Sequence, residues 1–505
     1  MADVHRRGGR HPARHALRRA HRDRALPGRA PPGRRRGPLR AADRLRPAAG
    51  RVRLAGQRAQ QPVLLAGARS EPPLALSLVG RRGDPDRRLQ RGRAGRPLAR
   101  RLARRGDGAL SVLVGAVGLT FLVLTLLSLP IVFALGIAGF AGLVVGNFSL
   151  QKLPSSLVAG SQSWVLLAIP TFVFAGSLME RCGMSYALVD LARALVGSVR
   201  GGLGISVVLA EYFFSGISGS TIADVSAIGA MLTPPMLRAG YAREHAASLV
   251  ASATAMGILV PPAIFMIVLG QVTDTSVVAI FLGGFIPAAV TAACLTVVIL
   301  VQAHRLHWPK DRRPTLAEFG ATVRASLVPM VVPILIVLGF FFGVFTATEA
   351  GALVAFYAVG AALLYYRNVT LREMLRLVHE SALLTAAVVF LLAVASVYQF
   401  LMGMLGVPAM LGELLQPLET TPWLFLFAVS LIVVLFGMVL EGLPAAVVLV
   451  PVVFPVARKI GIHPIHFNIV LTAAVGIGLF LPPIGVGLLM ALRFAEVSVG
   501  RHFRA

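Results

Sequence analysis

A polar stretch with the sequence FFSGISGSTIADVSAIG, residues 213–229, interrupts a chain that is otherwise largely apolar. It contains four serines, a threonine and an aspartate, and the candidate ligands among them are Ser218, Ser220, Thr221 and Asp224. Glycine and serine at membrane depth leave backbone carbonyls without helical partners, a state that is tolerated where they line an aqueous cavity. These oxygens suit a hard cation such as Na⁺, and a facing helix N-terminus can hold a carboxylate. The stretch therefore predicts an ion-binding site; close helix packing by the small residues and a capping role for Asp224 are the alternatives.

Two pairs of tandem prolines, in GILVPP and GLFLPP, predict breaks in two further helices. Proline donates no backbone hydrogen bond, and it pushes the residue before it out of the helical region. The pairs are Pro261 with Pro262 and Pro482 with Pro483. A break that faces a Gly/Ser stretch would form one cavity in each half of the chain, near the middle of a bilayer.

The polar stretch and the proline pairs belong to an internal repeat. Segment 240–262 (GYAREHAASLVASATAMGILVPP) aligns without gaps with segment 461–483 (GIHPIHFNIVLTAAVGIGLFLPP), at an offset of 461 − 240 = 221. Paired hydrophobic segments that Gly or Pro interrupts are typical of secondary transporters, and chance recurrence in apolar sequence is the alternative. The same offset places two further pairs in register, Gly216 with Gly437 and Ser220 with Glu441.

The elements that must position these residues are apolar helices. The chain has 505 residues, of which 56% are hydrophobic and 14% charged, and its mean hydropathy is +0.76. It therefore has more apolar surface than one soluble core needs. Apolar stretches recur from Leu110 onward, and several reach the ~20 residues that a helix needs to cross the hydrocarbon. We predict an all-α polytopic membrane protein in which full spans coexist with broken ones.

Composition and charge divide the chain into four regions. Residues 1–108 are rich in Arg, Pro and Gly, and we expect a disordered leader or the product of an incorrect reading frame or start site. Residues 109–303 are the first membrane half and residues 327–505 the second. The basic segment between them, 304–326, is predicted to be a cytoplasmic linker by the positive-inside rule.

Several other function classes fit the sequence poorly. Most of the formal net charge of +27 lies in residues 1–108, which contain no aromatic residue for base stacking, so no nucleic-acid partner is expected. The chain contains no Walker loop, so energy must come from a gradient or a separate subunit. The sequence GISG at 216–219 satisfies the pattern of rhomboid-like intramembrane serine proteases, but the histidines beyond the leader lie near segment ends or in charged loops. His463 and His466 have no further cluster of metal ligands. We therefore do not expect an enzyme.

Five segments follow one another in a specific order over residues 110–495: SGISGSTIADVSAIGAMLTPPMLRAGY, GILVPPAIFMIVLG, GVFTATEAGALVAFYA, GIHPIHFN and LPPIGVGLL. Together they closely resemble the large membrane subunit of tripartite ATP-independent periplasmic (TRAP) transporters, the DctM-like family. The resemblance implies a multi-pass protein of the bacterial inner membrane, an inverted-repeat, elevator-type transporter with re-entrant hairpins and broken helices. It implies sodium-coupled uptake of a small organic acid, such as a dicarboxylate or a sugar acid. The implied partners are a small, DctQ-like membrane subunit and a periplasmic, DctP-like solute-binding protein, with Na⁺ as coupling ion and no other cofactor.

The resemblance also implies roles for individual residues. The cation site of the first hairpin would lie at or near Ser218, Gly219, Ser220 and Asp224. The second hairpin region would include Gly437 and Glu441, and the two proline pairs would lie in the facing broken helices. The element TATEAGA would let Thr348 and Glu349 help to build or brace the second half.

Two departures from the family pattern stand out. Leu481 precedes the second proline pair where the family commonly has Thr, which removes one possible hydroxyl ligand from a second cation site. The chain ends at Ala505, where members of the family usually continue through another membrane helix, so we expect the second half to lack its last helix. Sodium-coupled dicarboxylate carriers and arsenite-type permeases, which need no binding protein, also use inverted repeats with polar hairpins and stay as alternatives.

Overall fold

The computed structural model describes residues 112–218, 220–415, 421–440, 442–482 and 485–502, all of which belong to one unit, Asp84–Ala505. The described residues form helices joined by short connections, and no strand occurs among them. The predicted leader, residues 1–108, lies outside the described residues. So do three predicted site residues: Gly219, Glu441 and Pro483.

The first helices of the described chain precede the polar stretch. They are α1 (Val112–Leu126), α2 (Ile131–Val145), α3 (Lys152–Ser161), α4 (Ala168–Cys182) and α5 (Met184–Val196), with a 3₁₀ turn at Trp164–Leu167 before α4. Helix α4 ends at Gly183, whose φ of 86° lies in the left-handed region that favours glycine.

The predicted breaks of the first half occur where the sequence places them. The helices are α6 (Gly202–Ser218), α7 (Thr221–Arg238), α8 (Arg243–Gly257), α9 (Ile264–Val272) and α10 (Val277–Arg305). Two residues separate α6 from α7, and the two helices pack against each other as a hairpin. The chain leaves the helical conformation between Gly257 and Ile264, around the first proline pair, because proline removes the hydrogen bonds that would continue α8.

Local capping signals start the next three long helices. They are α11 (Leu316–Phe341), α12 (Ala347–Gly360, continued by a π-helical turn at Ala361–Tyr366) and α13 (Leu371–Met404), and the short α14 (Val407–Leu414) follows. Each of the three begins with a Thr-x-x-Glu capping box, formed by Thr315 with Glu318, Thr346 with Glu349 and Thr370 with Glu373. The predicted linker, 304–326, is therefore non-helical only from Leu306 to Thr315.

The last helices repeat the pattern of α6 to α9. They are α15 (Pro422–Leu440), α16 (Gly442–Lys459), α17 (Pro464–Phe480) and α18 (Val486–Phe494), followed by the short α19 (Val499–His502). Helix α16 begins 442 − 221 = 221 residues after α7 and ends 459 − 238 = 221 residues after it. Helix α17 begins 464 − 243 = 221 residues after α8. The offset found in the sequence therefore also relates the helix boundaries.

The short helix that follows the broken helix of each half packs against helices of the other half, so the short helices α9 and α18 are exchanged between the halves. Helix α9 packs against α16 and α17, and its counterpart α18 packs against α7 and α8. The broken helices also contact each other directly, since α8 packs against α17. Each half thus completes the core of the other.

Seven helices in the described part of the chain are long and apolar enough to cross a membrane. They are the segments Trp164–Cys182, Val277–Arg305, Leu316–Phe341, Ala347–Tyr366, Leu371–Met404, Pro422–Leu440 and Gly442–Lys459. In the most apolar window of α10 only 17% of the residues are buried by the rest of the described chain, so most of this apolar helix surface is available to lipid or to a membrane partner. The prediction of an all-α polytopic membrane protein is confirmed.

Candidate functional site

The first break leaves Ser220 between two helices of one hairpin. Its backbone is extended, with φ of −128° and ψ of 112°, and α7 begins at the next residue, Thr221. The first turn of α7 therefore presents backbone N–H groups that have no partner within the helix.

A cavity of about 310 Å³ joins the breaks of the two halves. The first hairpin contributes Ser220 and Thr221, and the second contributes Gly442 at the start of α16. Helix α9 contributes its first residue, Ile264, and α17 contributes Leu479 near its end. The remaining lining comes from α2, α7, α9, α13, α16 and the segment between α8 and α9, and it is apolar throughout. We call this space the hairpin cavity; the sequence predicted one cavity in each half, whereas residues of both halves line this one.

A second cavity, of about 400 Å³, lies beside the second proline pair. Its lining includes Leu481 and Pro482 from the break and the hydroxyl-bearing Ser248, Ser252 and Thr291 from α8 and α10. We call it the α8–α10 cavity. Pro482 thus lines a cavity, and this cavity is not the one that Ser220 lines.

The broken helices form the partition between these cavities. Just before the first proline pair, Ile258 lines the hairpin cavity and the next residue, Leu259, lines the α8–α10 cavity. Just before the second proline pair, Leu479 lines the hairpin cavity and the next residue, Phe480, lines the α8–α10 cavity. The segments at both proline pairs therefore lie between the two cavities.

Each hairpin also touches the broken helix of its own half. A Cβ atom on Gly216 would lie 2.7 Å from the carbonyl oxygen of Pro261, and one on Gly437 would lie 3.6 Å from the Cα of Gly478. Only glycine permits the approach at Gly216 without moving the backbone, whereas 3.6 Å is an ordinary contact that an alanine at position 437 could also make. The predicted residues Gly216 and Pro261 are therefore brought together at one helix crossing, and Gly437 lies at a separate crossing with Gly478.

Asp224 lies inside the first hairpin and lines neither cavity. Its side chain is 1% exposed, and its Oδ2 accepts a hydrogen bond from Ser215 Oγ at 2.9 Å. The Ser215 hydroxyl also lies 2.8 Å from the carbonyl oxygen of Gly257, the last residue of α8. Asp224 thus connects both helices of the hairpin to the end of the broken helix.

Sequence reasoning missed the acidic residue that accompanies Asp224. Glu211 on α6 is fully buried, and its carboxyl group interacts with that of Asp224. The signal was present, because Glu211 is an ionisable residue within an apolar membrane segment, and the same argument had selected Asp224. Its spacing of four from Ser215 also places both side chains on one face of α6.

Thr348 and Glu349 lie at the start of α12 and line neither cavity. Glu349 accepts a hydrogen bond from the backbone N–H of Thr346 at 2.8 Å, which closes the capping box. The Thr348 hydroxyl donates to the carbonyl oxygen of Trp164 at 3.3 Å, in the turn before α4. The contacts that Thr348 and Glu349 make therefore hold α12 in place.

No group of three or more His, Cys, Asp or Glu side chains that could hold a metal ion occurs in the described part of the chain. His463 instead accepts a hydrogen bond from the N–H of Ile465 and caps the start of α17. His245 packs against Trp308 of the linker.

Comparison with known proteins identifies the family. The family described as "Tripartite ATP-independent periplasmic transporter, DctM component" matches residues 119–505. The chain belongs to the DctM family. Several of its relatives are named as large permease proteins of TRAP transporters. The family and the seven apolar helices of the described chain together identify a multi-pass membrane protein. A location in the bacterial inner membrane is consistent with both.

Relatives of this chain are named for different transported compounds. The 2,3-diketo-L-gulonate TRAP transporter large permease protein YiaN of Escherichia coli is 36% identical over 71% of this chain and 85% of its own length. The C4-dicarboxylate TRAP transporter large permease protein DctM of Pseudomonas aeruginosa is 34% identical over 74% and 87%. The sialic acid TRAP transporter large permease protein SiaM of Vibrio cholerae is 29% identical over 73% and 87%. The family is therefore shared while the named cargo differs.

Proposed function

We propose that this chain is the large membrane subunit of a transporter that takes up a small organic acid together with Na⁺. The observation that carries the proposal is the convergence of three helix N-termini on the hairpin cavity. The first turns of α7, α9 and α16 line it, through Thr221, Ile264 and Gly442 among others. Partial positive charge and unpaired N–H groups at helix N-termini favour a bound carboxylate.

The size and lining of the hairpin cavity fit a small acid. Its volume of about 310 Å³ lies at the lower end of the range for ligand pockets. The hydroxyls of Ser220 and Thr221 are the polar side-chain groups of the lining, so the helix termini would hold the acid group and apolar side chains the carbon skeleton. Relatives named for 2,3-diketo-L-gulonate, a C4-dicarboxylate and sialic acid support an organic acid as the cargo class.

The coupling Na⁺ would bind at the first break, near Ser218, Ser220 and Asp224. The last turn of α6 ends there, and the carbonyl groups of a helix C-terminus carry partial negative charge. Carbonyl and hydroxyl oxygens are the ligands that hard cations prefer. Asp224 would add a negative charge from within the hairpin.

The packing of the two halves supports an inverted-repeat, elevator-type movement. Gly476 and Ala255 are counterparts, since 476 − 255 = 221, and a Cβ on Gly476 would lie 2.5 Å from the Ala255 carbonyl oxygen. Residues that contact their own counterparts are expected near a two-fold axis. Because α9 and α18 are exchanged between the halves, both hairpins and both broken helices would move as one body.

We further propose the partners that the family name implies, a small membrane subunit and a periplasmic binding protein that delivers the acid. A carrier that takes its acid directly from solution is the alternative. Uptake by proteoliposomes distinguishes the two, because omitting the binding protein should abolish uptake only in the first case.

The experiment is uptake of candidate labelled acids by proteoliposomes that contain all three proteins, with and without an inward sodium gradient. We expect uptake of at least one acid to require the gradient. Ser220→Ala should abolish the sodium-dependent part, because it removes an oxygen from the first break. Ser155→Ala is the matched control, since Ser155 is exposed on α3 and bonds only to Lys152 in its own helix. Sodium-independent uptake, or an unchanged Ser220→Ala variant, would contradict the proposed coupling site.

A further inference from the structure

A further cavity, of about 670 Å³, separates α7 from α4 and α13. Unlike the hairpin cavity, it is lined by many charged or polar side chains: Ser177, Glu180, Arg181, Ser226, Asn368 and Glu380. Arg181 forms an ion pair with Glu373, and Glu380 forms one with Arg376. Charged side chains within a membrane protein face protein or water rather than lipid. We call this water-compatible space the α7–α13 cavity.

The α7–α13 cavity lies at the cytoplasmic end of these helices. Its lining includes Asn368, which belongs to the turn between α12 and α13. Arg367, Arg372 and Arg376 lie in this turn or in the first two turns of α13, and the positive-inside rule places such a basic segment in the cytoplasm. The linker leads to the same assignment, because two membrane-crossing helices, α11 and α12, lie between the linker and this turn.

The same two helices line both the α7–α13 cavity and the hairpin cavity. On α13, Glu380 lines the α7–α13 cavity and Leu384 lines the hairpin cavity. On α7, Ser226 and Ile222 are divided between the two cavities in the same way. Residues four positions apart lie on one face of a helix, about one turn from each other. Both walls therefore pass from one cavity to the other within a single turn, and Leu384 is 39% exposed, so packing does not close the passage.

The second hairpin lacks such a passage beside α13. Helix α16 packs directly against α13. Its residue Val447, which lies 447 − 226 = 221 positions after Ser226, is 0% exposed. Ser226 itself is only half-buried, and Ala230, one turn later on α7, is exposed because the α7–α13 cavity lies beside it. The hairpin cavity is therefore open along α7, whereas α13 closes against α16.

We infer that the acid leaves the hairpin cavity between α7 and α13 and reaches the cytoplasm through the α7–α13 cavity. The inference rests on the proposed function, since it gives an exit to the acid that the hairpin cavity would hold. The lining of the exit carries both signs of charge, so it does not attract an anion as a cluster of positive charges would. Small side chains on α7, those of Ser226, Ala227 and Ala230, leave room for a solute. The structure is thus the form that opens to the cytoplasm.

A thiol reagent tests the exit without any need for transport. Sulfonatoethyl methanethiosulfonate is itself a small organic anion, and its charge keeps it from crossing a bilayer. Cys182→Ser with Cys294→Ser removes both cysteines of the chain and serves as the unreactive background. In this background Ala387→Cys, in the hairpin cavity, should react from the cytoplasmic side, in inside-out membrane vesicles. Ala386→Cys, which is exposed on α13 outside the cavities described above, should face lipid and stay unreactive.

Filling the α7–α13 cavity distinguishes this exit from other routes to the same cysteine. Ala230→Trp should slow the cytoplasmic reaction of Ala387→Cys to its rate from the periplasmic side, because the indole occupies the α7 wall. Met231→Trp adds less volume at the same wall and supplies a second plug if Ala230→Trp does not fold. Ala382→Trp, exposed on α13 outside the cavities, is the matched control and should leave the rate unchanged.

Two results would overturn the exit. One is an Ala387→Cys protein that does not react from the cytoplasmic side, and the other is a reaction that folded plug variants do not slow. Uptake by the three-protein proteoliposomes is read separately. If uptake needs no sodium while the labelling behaves as expected, the proposed function fails and the exit stands. If uptake needs sodium while the labelling contradicts the exit, the exit alone fails.

Discussion

Replacing Gly476 with alanine tests the close crossing of the two broken helices. Gly476 lies on α17, where the helix passes α8. A Cβ at this position would lie 2.5 Å from the Ala255 carbonyl oxygen and 2.8 Å from Ile258 Cγ2. Ordinary contacts of a Cβ begin at 3.4 Å, so α17 must move by about 3.4 − 2.5 = 0.9 Å relative to α8.

The cost follows from overpacking. An extra methyl group in a close-packed core lowers stability by about 1–3 kcal/mol, and here the obstacle is partly backbone, which cannot rotate away as a side chain can. Alanine also recovers the ~0.5–1 kcal/mol that glycine costs inside a helix, so we expect Gly476→Ala to lower the free energy of unfolding by about 0.5–2 kcal/mol. Unfolding in a titration with sodium dodecyl sulfate, followed by the fluorescence of the three tryptophans, measures this difference.

Gly320→Ala is the matched control. Gly320 lies in α11, and nothing lies within 4 Å of a Cβ built there. In that position alanine should raise the free energy of unfolding by about 0.5–1 kcal/mol, because glycine loses more backbone entropy on folding. If Gly476→Ala were as stable as the wild type or more stable, the close crossing of α8 and α17 would be refuted.

Three further predictions concern the cavities and a helix cap. Single cysteines introduced in a Cys294→Ser background test the separation of the two cavities: Leu443→Cys lies in the hairpin cavity and Ser252→Cys in the α8–α10 cavity. Because the broken helices separate the two spaces, the two cysteines should react with membrane-impermeant thiol reagents from opposite sides of the vesicle. Reaction of both from one side would contradict the partition. Thr346→Ala should lower the free energy of unfolding by about 0.5–2 kcal/mol in the same detergent titration, because it removes the side-chain cap at the start of α12. An unchanged free energy of unfolding would show that this cap does not stabilise the protein. Leu481→Thr should lower the sodium concentration for half-maximal uptake, because it adds a hydroxyl beside the second break, and an unchanged concentration would exclude a cation there.

Local chemistry made the breaks predictable from the sequence. Proline lacks an N–H group, so the interruption after Gly257 follows from Pro261 and Pro262 wherever the helix lies. The repeat offset likewise predicted corresponding breaks, and the helix boundaries follow it. The capping role of Glu349 was also readable, since Thr-x-x-Glu is a capping-box pattern, although the family resemblance directed attention to bracing instead.

Contacts between distant segments were not predictable in the same way. Glu211 and Asp224 are separated by 13 positions and a turn, and only the angle of the hairpin brings their carboxyl groups together. The sequence predicted cavities at the breaks, but the division of Ile258 and Leu259 between two chambers depends on how α8 and α17 cross. The exchange of α9 and α18 depends on tertiary packing, which hydrophobic periodicity does not encode.

The exchanged short helices have a consequence for biosynthesis. Helix α7 packs against α18, and a Cβ on Gly229 would lie only 2.9 Å from Phe494 Cδ2, a residue that the ribosome adds 494 − 229 = 265 positions later. Native contacts of such long sequence separation form slowly, and unpaired apolar surfaces are prone to misassembly meanwhile. After its insertion into the bilayer, the first half therefore lacks the packing partner of α7 until α18 has been synthesised and inserted.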